Sequence, residues 1–350
     1  VYEAESVAGG VLYWGIPEYR LPKEVLAKEV KAIEQSGVNI HCNVRIGEAI
    51  SFEELKNQSD AVYVAIGTQQ SRTLGIPGED LPGVENGLIF LKRIGLKQSL
   101  SVPERLVVIG GGSTAMDVAR TAVRLGSKEV TVVYRRTERE MPAGAEEVKE
   151  AREEGIRIIT LASPVRITEK DGAVCGIELV KRQLTDYGPD GRRRSAHIEG
   201  SEFLLECDGI ITAINQDVDH KFHQTTQLDF DRKGRIDVHQ FTSRTSEEGV
   251  FAGGDTSPWG ANVAVNAIAD GKKAAVNIDK YLGGSGELNM GEWLEIPVIP
   301  DMEVTEPHMR FPVRTLPVDE RIDNFKEVAC GFHKLDAIGE AFRCLHCDRR

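Results

Sequence analysis

Gly110, Gly112 and Ala115 lie at the spacing G-x-G-x-x-A, directly after an apolar run at residues 106–109. In such a pattern the first glycine permits a tight turn, the second lets a pyrophosphate approach the backbone, and the small third residue lets a helix pack on the strand. Residues 115–125 are predicted to form that helix, whose N-terminus would direct N–H groups at an anion. The sequence therefore predicts a dinucleotide-binding unit, with a glycine-rich turn that binds no ligand as the alternative.

Two arginines end the strand that follows this unit. Residues 130–133 are predicted to form the strand, and Tyr134, Arg135 and Arg136 come directly after it. An NAD-specific site usually places an acidic side chain there for the ribose 2′-hydroxyl, whereas a guanidinium suits the 2′-phosphate of NADP through charge and paired hydrogen bonds. Arg135 and Arg136 therefore favour NADP over NAD, although solvated charges at a strand end are the alternative.

The cysteines fall into two groups. Three lie in apolar or strand-like surroundings that predict buried thiols: Cys42, Cys175 and Cys207. Cys330, Cys344 and Cys347 lie near the end of the sequence, the last two at a Cys-x-x-Cys spacing. A redox dithiol, a zinc half-site and plain structural thiols all suit that spacing.

Composition limits the classes of function. The 350 residues suffice for two domains, and a formal net charge of -12 argues against a nucleic-acid partner. No apolar run approaches the roughly 20 residues that span a bilayer. Six cysteines in a chain of this length do not predict a disulfide framework, so a reducing cytoplasm is the expected location. No nucleophile–His–acid arrangement is found and no catalytic acid or base is predicted. The isolated histidines are predicted to be structural: His41, His220 and His308.

Three strand–glycine–helix signals divide the chain, at residues 59–68, 105–126 and 249–283. Strands that alternate with helices indicate parallel sheets. Between the last two signals lies a mostly β stretch, with strands predicted at 156–160, 165–168, 174–181 and 203–213 and a charged hairpin tip at 186–195. A Pro-rich, acidic tail without a strand signal before its last helix follows. The predicted domains are 1–100 and 245–284 as two parts of one unit, 101–244 as a second unit inserted into it, and 285–350 as the tail.

Several motifs in combination resemble one family. Gly9-Gly10 precedes YWGIPEYRLP at 13–22, and AIGT at 65–68, GGGSTAMD at 110–117, VYRR at 133–136 and GGD at 253–255 follow. This set resembles the family of the glutamate synthase small subunit and the N-terminal flavin region of dihydropyrimidine dehydrogenase. The resemblance implies an α/β fold with two Rossmann-like dinucleotide-binding domains, the NAD(P) domain inserted in the FAD domain, and an extended C-terminal tail.

The resemblance also implies which residues bind the cofactors. Those expected to line the FAD path are Glu3, Gly9, Gly10, Arg20, Ala65, Gly67, Thr68, Gln216, Gly254, Asp255 and Val263. Those expected to hold NADPH are Gly110, Gly112, Ser113, Thr114, Ala115, Arg135 and Arg136. The ending EAFRCLHC at 340–347 resembles the start of the family's iron–sulfur signature. It implies that Cys344, Cys347 and Cys330 contribute to a 4Fe-4S cluster.

The implied function is transfer of electrons between NADPH, FAD and the iron–sulfur centres of a larger oxidoreductase or ferredoxin-type partner, within a hetero-oligomer. The sequence departs from the family pattern in three places. The first βαβ strand and its glycine loop would precede Val1, Asn215 stands in the A-I-G-Q motif, and residues 260–263 replace G-P-x-T. A thiol-disulfide flavin reductase and a non-catalytic scaffold with a decayed flavin site are the alternatives.

Overall fold

In the computed structural model, residues 1–188, 191–214, 216–260, 263–287 and 309–343 are described. The strands in chain order are β1 (Val62–Val64), β2 (Gln70–Ser71), β3 (Val84–Asn86), β4 (Arg105–Ile109), β5 (Glu129–Tyr134), β6 (Arg157–Thr160), β7 (Ala162–Lys170), β8 (Ala173–Tyr187), β9 (Arg193–Glu206), β10 (Gly209–Thr212), β11 (Gln216–Asp217), β12 (Val250–Ala252), β13 (Arg314–Thr315) and β14 (Ala329–Gly331). The α-helices are α1 (Gly10–Trp14), α2 (Lys23–Gln35), α3 (Phe52–Asn57), α4 (Gly87–Gly95), α5 (Ser113–Arg124), α6 (Ala145–Glu153), α7 (His220–His223), α8 (Ala264–Tyr281), α9 (Val318–Arg321) and α10 (Lys334–Phe342).

A five-stranded parallel sheet carries the glycine loop, in the order β3-β10-β4-β5-β6. Its apolar strands are buried on both faces, as parallel sheets require, and α5 packs its apolar side against β4 and β5. The predicted strand–loop–helix unit is confirmed, although α5 begins two residues earlier than expected, at Ser113. The sheet also recruits β3, so it starts before residue 100; the predicted domain boundary at that residue stays a prediction.

The long strand predicted at 203–213 is wrong as a single element. β9 ends at Glu206 in a three-stranded antiparallel sheet with β7 and β8, whereas β10 starts at Gly209 and enters the parallel sheet. At this break Arg105 pairs with Glu206 and Asp208 at 2.9 and 2.6 Å, and Asp208 N donates to Arg105 O at 2.8 Å. A side chain at Gly209 would meet Pro103 at 2.7 Å, so the chain turns there at a glycine. The hairpin tip is also narrower than predicted, because β8 continues to Tyr187 and β9 starts at Arg193.

A second, smaller parallel pair joins β1 and β12. Its core includes Phe52, Phe222 and Ile236, and α8 follows β12. The first residues run beside this unit, since Tyr2 makes a parallel bridge to His41 and Glu3 N donates to His41 O at 2.9 Å. Residues 1–3 are thus paired with the chain around His41. None of the helices within the described ranges is long and apolar enough to cross a membrane.

The tail contains more structure than its composition predicted. β13 and β14 pair in antiparallel fashion, and α9 and α10 accompany them. Val328 N donates to Tyr19 O at 2.9 Å, and the Arg321 side chain, 1% exposed, pairs with Glu153 and Glu154 near the end of α6. Residues 314–331 of the tail thus pack against the nucleotide-binding unit. Short two- and three-residue strands carry too little periodicity to be recognised in a sequence.

Candidate dinucleotide-binding sites

Each of the three glycines in the loop after β4 is explained by what surrounds it. A Cβ on Gly110 would lie 2.3 Å from the carbonyl oxygen of Ala213 on the neighbouring strand's continuation, and a Cβ on Gly111 would lie 2.3 Å from the ring of Tyr134. Gly112 faces open space, because the nearest atom to its Cβ position is Pro142 Cβ at 3.9 Å. Gly110 and Gly111 therefore let the chain pack, while Gly112 leaves room beside its backbone for a ligand.

The N-terminus of α5 can receive an anion at that open position. Gly112 is the N-cap residue, and no side-chain hydrogen bond caps the helix within the described chain. Ala115 is fully buried against the sheet, whereas Ser113 and Thr114 occupy the first turn, with Ser113 exposed. Uncapped N–H groups and the positive end of the helix dipole bind phosphate groups. This geometry suits a pyrophosphate, and its binding by Gly112, Ser113 and Thr114 stays a prediction.

Glu147 connects this loop to the next helix. Its carboxylate accepts from Ser113 Oγ at 3.0 Å and from Gly144 N, the N-cap of α6, at 2.7 Å. Arg20 reaches the same carboxylate at 2.8 Å and donates to both oxygens of Asp117 at 2.8 Å. Burial raises the pKa of Asp117 to about 6, against the lowering effect of Arg20. Arg20, expected on the FAD path, thus lies against α5 and α6.

Three arginines lie at the carboxyl end of β5. Arg135 is exposed, Arg136 is 9% exposed with a buried Nε that has no hydrogen-bond partner within the described ranges, and Arg182 of β8 faces both. The sequence reasoning missed Arg182 because it lies 46 residues beyond Arg136, on a strand interpreted as scaffold. A signal existed: Arg182 is a charged residue on the strand paired with the segment that follows β6.

The unit that contains β1 and β12 has a second set of backbone features, at the carboxyl ends of these two strands. After β1, Ala65 is exposed, Gly67 has a φ of +65° and Thr68 is 7% exposed. After β12, Gly254 has a φ of +69° and donates its N–H to Asp270 of α8 at 3.0 Å. Ligands of open parallel sheets bind at this end of the strands.

The helix α8 also starts without a side-chain cap among the described residues. Its N-cap is Val263, 53% exposed, and Asp255 lies in the 3₁₀ turn Gly254–Thr256 that precedes it. Gly260 crosses close to this turn, since a Cβ there would lie 1.9 Å from Gly254 O. Gly254, Asp255 and Val263 therefore lie close together. The turn, the glycine at 260 and the uncapped N-terminus of α8 suit the polar part of a dinucleotide.

The remaining predicted FAD residues are placed separately. Glu3 Oε1 accepts from the backbone N–H of Glu5 at 2.8 Å, and Gly9 and Gly10 adopt φ values of +127° and +54° where α1 begins. Gln216 starts β11, which pairs with β2. Asn215, the departure beside it, lies outside the described residues.

The cysteine predictions have mixed outcomes. Cys207 is buried, and burial raises the pKa of its thiol to about 12, whereas Cys42 and Cys175 are half-buried, so the prediction is wrong for those two. They lie near strand ends, where apolar neighbours in the sequence do not cover the sulfur. Cys330 is exposed on β14; Cys344 and Cys347 lie outside the described residues, as does His308. Within the described ranges no group of three potential metal ligands is found.

Comparisons with known proteins agree with this geometry. A family model for pyridine nucleotide-disulphide oxidoreductases matches residues 13–271. The beta subunit of NADP(+)-dependent formate dehydrogenase from Moorella thermoacetica is 39% identical over 100% of this chain and 51% of its own length. The NADPH-Fe(3+) oxidoreductase beta subunit of Geobacter sulfurreducens is 34% identical over 100% and 57%. The chain spans about half the length of these curated relatives.

The glutamate synthase small chain of Escherichia coli is 34% identical over 81% of this chain and 63% of its own length, which confirms the predicted resemblance. Among solved structures, FprA of Mycobacterium tuberculosis in complex with NADPH has a TM-score of 0.68 at 22% identity, covering 81% of this chain and 77% of FprA. Thioredoxin reductase of T. acidophilum has a TM-score of 0.58 at 20% identity, covering 80% and 88%. These structures share the fold, and the predicted α/β fold with dinucleotide-binding domains is confirmed.

Proposed function

The chain belongs to the pyridine nucleotide-disulphide oxidoreductase family, and from that premise we propose that it is a flavin-dependent NADPH oxidoreductase subunit that passes electrons to a partner. The observation that carries the proposal is the open backbone at Gly112, at the uncapped N-terminus of α5, with the arginines of the β5 end at the same edge of the sheet. This combination suits a pyrophosphate with a further phosphate beside it.

The NADPH side of the proposal assigns each role to a residue. Gly112 and the first turn of α5, Ser113 and Thr114, bind the pyrophosphate through backbone N–H groups. Gly110 and Ala115 let the loop and helix approach the sheet. Arg135 and Arg136 bind the 2′-phosphate, because they follow β5 at the position where an NAD-specific site has a carboxylate. No acid or base is required, since the chain binds and orients the reactant and excludes water.

The FAD side rests on the second set of backbone features. We assign Gly67, Thr68, Gly254, Asp255 and the N-terminus of α8 at Val263 to the flavin nucleotide. FAD, when bound, accepts a hydride from NADPH and releases the electrons singly.

The partner is proposed from the relatives and the tail. Relatives are named as beta subunits or small chains of larger enzymes, which supports a hetero-oligomer with a larger oxidoreductase or ferredoxin-type subunit. The tail brings Cys330 to an exposed position a few residues before α10. We propose that Cys330, Cys344 and Cys347 contribute ligands to a 4Fe-4S cluster. A cytoplasmic location stays a prediction.

The visible absorbance spectrum of the purified protein tests the proposal, with any acid-released cofactor identified by chromatography. The spectrum is recorded anaerobically before and after addition of NADPH or NADH. Flavin absorbance that NADPH bleaches faster than NADH supports the proposal, and a Cys344→Ser/Cys347→Ser variant should lose iron while it keeps that response. A protein without flavin that binds neither nucleotide contradicts it and favours the scaffold alternative.

A further inference from the structure

Arg135, Arg136 and Arg182 form a cluster of like charges that has no acidic partner among the residues that the structure describes. None of the ion pairs within the described ranges involves any of the three. Burial lowers the pKa of Arg182, and the nearby charges of Arg135 and Arg136 lower it further, which shows that the guanidinium groups lie within electrostatic reach of one another. Guanidinium groups remain charged in proteins, so three positive charges converge here.

The backbone fixes this convergence. Leu161 N donates to Arg136 O at 3.1 Å, and Arg182 N donates to Leu161 O at 2.8 Å. Leu161, with a φ of +54°, therefore ties the end of the parallel strand β5 to the antiparallel strand β8. Arg136 and Arg182 occupy neighbouring positions although they belong to different sheets.

The Arg182 side chain is held in place by hydroxyl and carbonyl oxygens. Nη1 donates to Ser163 Oγ at 2.9 Å, and Nε and Nη2 donate to Ser195 Oγ and Ser195 O at 2.9 and 2.5 Å. These neutral acceptors orient the guanidinium without neutralising it. A carboxylate in the same position would have cancelled the charge, so the contacts preserve a positive potential beside Arg135 and Arg136.

Neither of the two acidic residues on the segment after β5 neutralises the cluster, since the carboxylate of Glu138 pairs with Arg152. The Glu140 carboxylate accepts from the hydroxyl and the backbone N–H of Thr137, and the cation that lowers its pKa is Arg193. Like charges at close range destabilise a fold unless an opposite charge arrives. The cluster therefore carries an unfavourable interaction that a bound dianion would relieve.

From this geometry we infer that Arg182 is a third phosphate-binding arginine of the 2′-phosphate site, which strengthens discrimination of NADPH from NADH. The inference rests on the proposed function, because it places the nucleotide at the glycine loop. Tyr134 packs against Gly111 and directly precedes Arg135, so the arginines lie at the same edge of the sheet as the pyrophosphate site. The hairpin of β8 and β9 thereby contributes to specificity.

Calorimetric titration with 2′,5′-ADP and 5′-AMP tests the inference without any bound flavin or turnover. These probes differ by the 2′-phosphate. Wild type should bind 2′,5′-ADP more tightly, and Arg182→Met should weaken that binding about 10- to 100-fold, the range for one charge-assisted hydrogen bond. The affinity for 5′-AMP should change less than about threefold, because this probe lacks the 2′-phosphate. Arg182→Lys, which keeps the charge, should lose less.

Arg157→Met is the matched control, since Arg157 starts β6 at the opposite end of the parallel sheet and its removal changes the net charge equally. It should leave both affinities unchanged. Retention of the full preference for 2′,5′-ADP by Arg182→Met, with loss of the preference in Arg136→Met, would show that Arg182 is a structural brace and overturn the inference. A wild-type protein that binds the two probes equally overturns the NADPH assignment as well, which separates the two failures.

Discussion

Replacement of Glu154 by Gln tests the most deeply buried charge cluster of the chain. The Glu154 carboxylate accepts from Arg120 at 2.7 and 3.0 Å and from Arg124 at 2.6 and 3.0 Å, and Arg321 Nε lies at 3.1 Å. The Glu154 and Arg124 side chains are 0% exposed, and those of Arg120 and Arg321 are 2% and 1% exposed. Three cations thus share one fully buried anion.

The cost of the substitution follows from what remains. The amide of Gln offers one acceptor where the carboxylate offered two, and its NH₂ group faces guanidinium donors. Glu150 and Glu153 stay, but at the partly exposed margin. Removal of one partner of a buried ion pair costs about 3–5 kcal/mol. With about 2.1 cal/mol/K of unfolding entropy per residue, the 350 residues convert this into a Tm decrease of about 4–7 °C.

The matched control is Glu104→Gln. Glu104 pairs with Lys128 at 2.6 Å, as short as the buried contacts, but the side chains are 67% and 69% exposed. An exposed pair contributes about 0–1 kcal/mol, so this variant should melt within about 1 °C of wild type. Calorimetry of both variants measures the difference. Equal decreases in Tm, or none for Glu154→Gln, would refute the argument that burial sets the cost.

The same residue predicts a pH dependence. Burial raises the pKa of Glu154, but the hydrogen bonds and charges of Arg124 and Arg120 outweigh burial and hold that pKa below its ordinary value. A folded-state pKa below the unfolded value stabilises the protein above the unfolded pKa, and the stabilisation is lost as pH falls through the folded value. The gap in Tm between wild type and Glu154→Gln should therefore be largest at neutral pH and shrink below about pH 4.5.

Three further predictions concern the loop, Asp117 and the tail. Gly110→Ala should lower the free energy of unfolding by at least about 2 kcal/mol, because its Cβ would lie 2.3 Å from Ala213 O. Gly112→Ala should change the free energy of unfolding by less than about 1 kcal/mol and yet weaken 2′,5′-ADP binding. Equal urea midpoints for the two variants would contradict this contrast. Burial raises the pKa of Asp117 from 3.8 to about 6, so wild-type stability should fall as pH rises between those values. Asp117→Asn should flatten this dependence of stability on pH, measured by urea unfolding at pH 4, 5, 6 and 7. An unchanged dependence in the variant would count against the prediction. Arg321→Met should speed trypsin cleavage within residues 309–331, because Arg321 joins the tail to Glu153 and Glu154; a cleavage rate equal to that of wild type would show that other contacts hold the tail.

Local signals were sufficient for the glycine loop. The apolar run before Gly110, the small residue at 115 and the glycine at 126 all belong to one continuous stretch, so strand, turn and helix could be predicted together. The break between β9 and β10 has a local signal that the single strand predicted at 203–213 overlooks, since Asp208-Gly209 is a dipeptide typical of turns. The sheet that each half joins is set by its partner strands, and β10 pairs with β4, which lies about 100 residues earlier. Such long-range contacts leave no periodic trace in the sequence.

Tyr19 and Arg20 show why the site was harder to predict than the fold. Both belong to the motif at 13–22 that the resemblance associated with FAD, and nothing in their spacing indicates a partner on α5. In the structure Arg20 pairs with Asp117, and the Tyr19 ring lies 3.9 Å from the Arg124 guanidinium carbon and 6.3 Å from the Phe325 ring. The residue type specifies a charge or an aromatic ring, but tertiary packing determines which groups that side chain contacts.

The buried cluster explains how the tail is joined to the nucleotide-binding unit. Hydrophobic residues alone would hold residues 314–331 in many similar registers, because apolar contacts have no direction. The Arg321 guanidinium favours one register, because in another register it would be buried away from Glu153 and Glu154. Val328 N, donating to Tyr19 O, sets the register a second time. If the cysteines beyond α10 hold a cluster, this junction fixes the path that leads to it, so loss of Arg321 should disturb electron delivery to the partner before it affects nucleotide binding. Stopped-flow reduction of the partner, compared with 2′,5′-ADP affinity in Arg321→Met, separates the two effects; a parallel loss of both would show that the junction supports the nucleotide site itself.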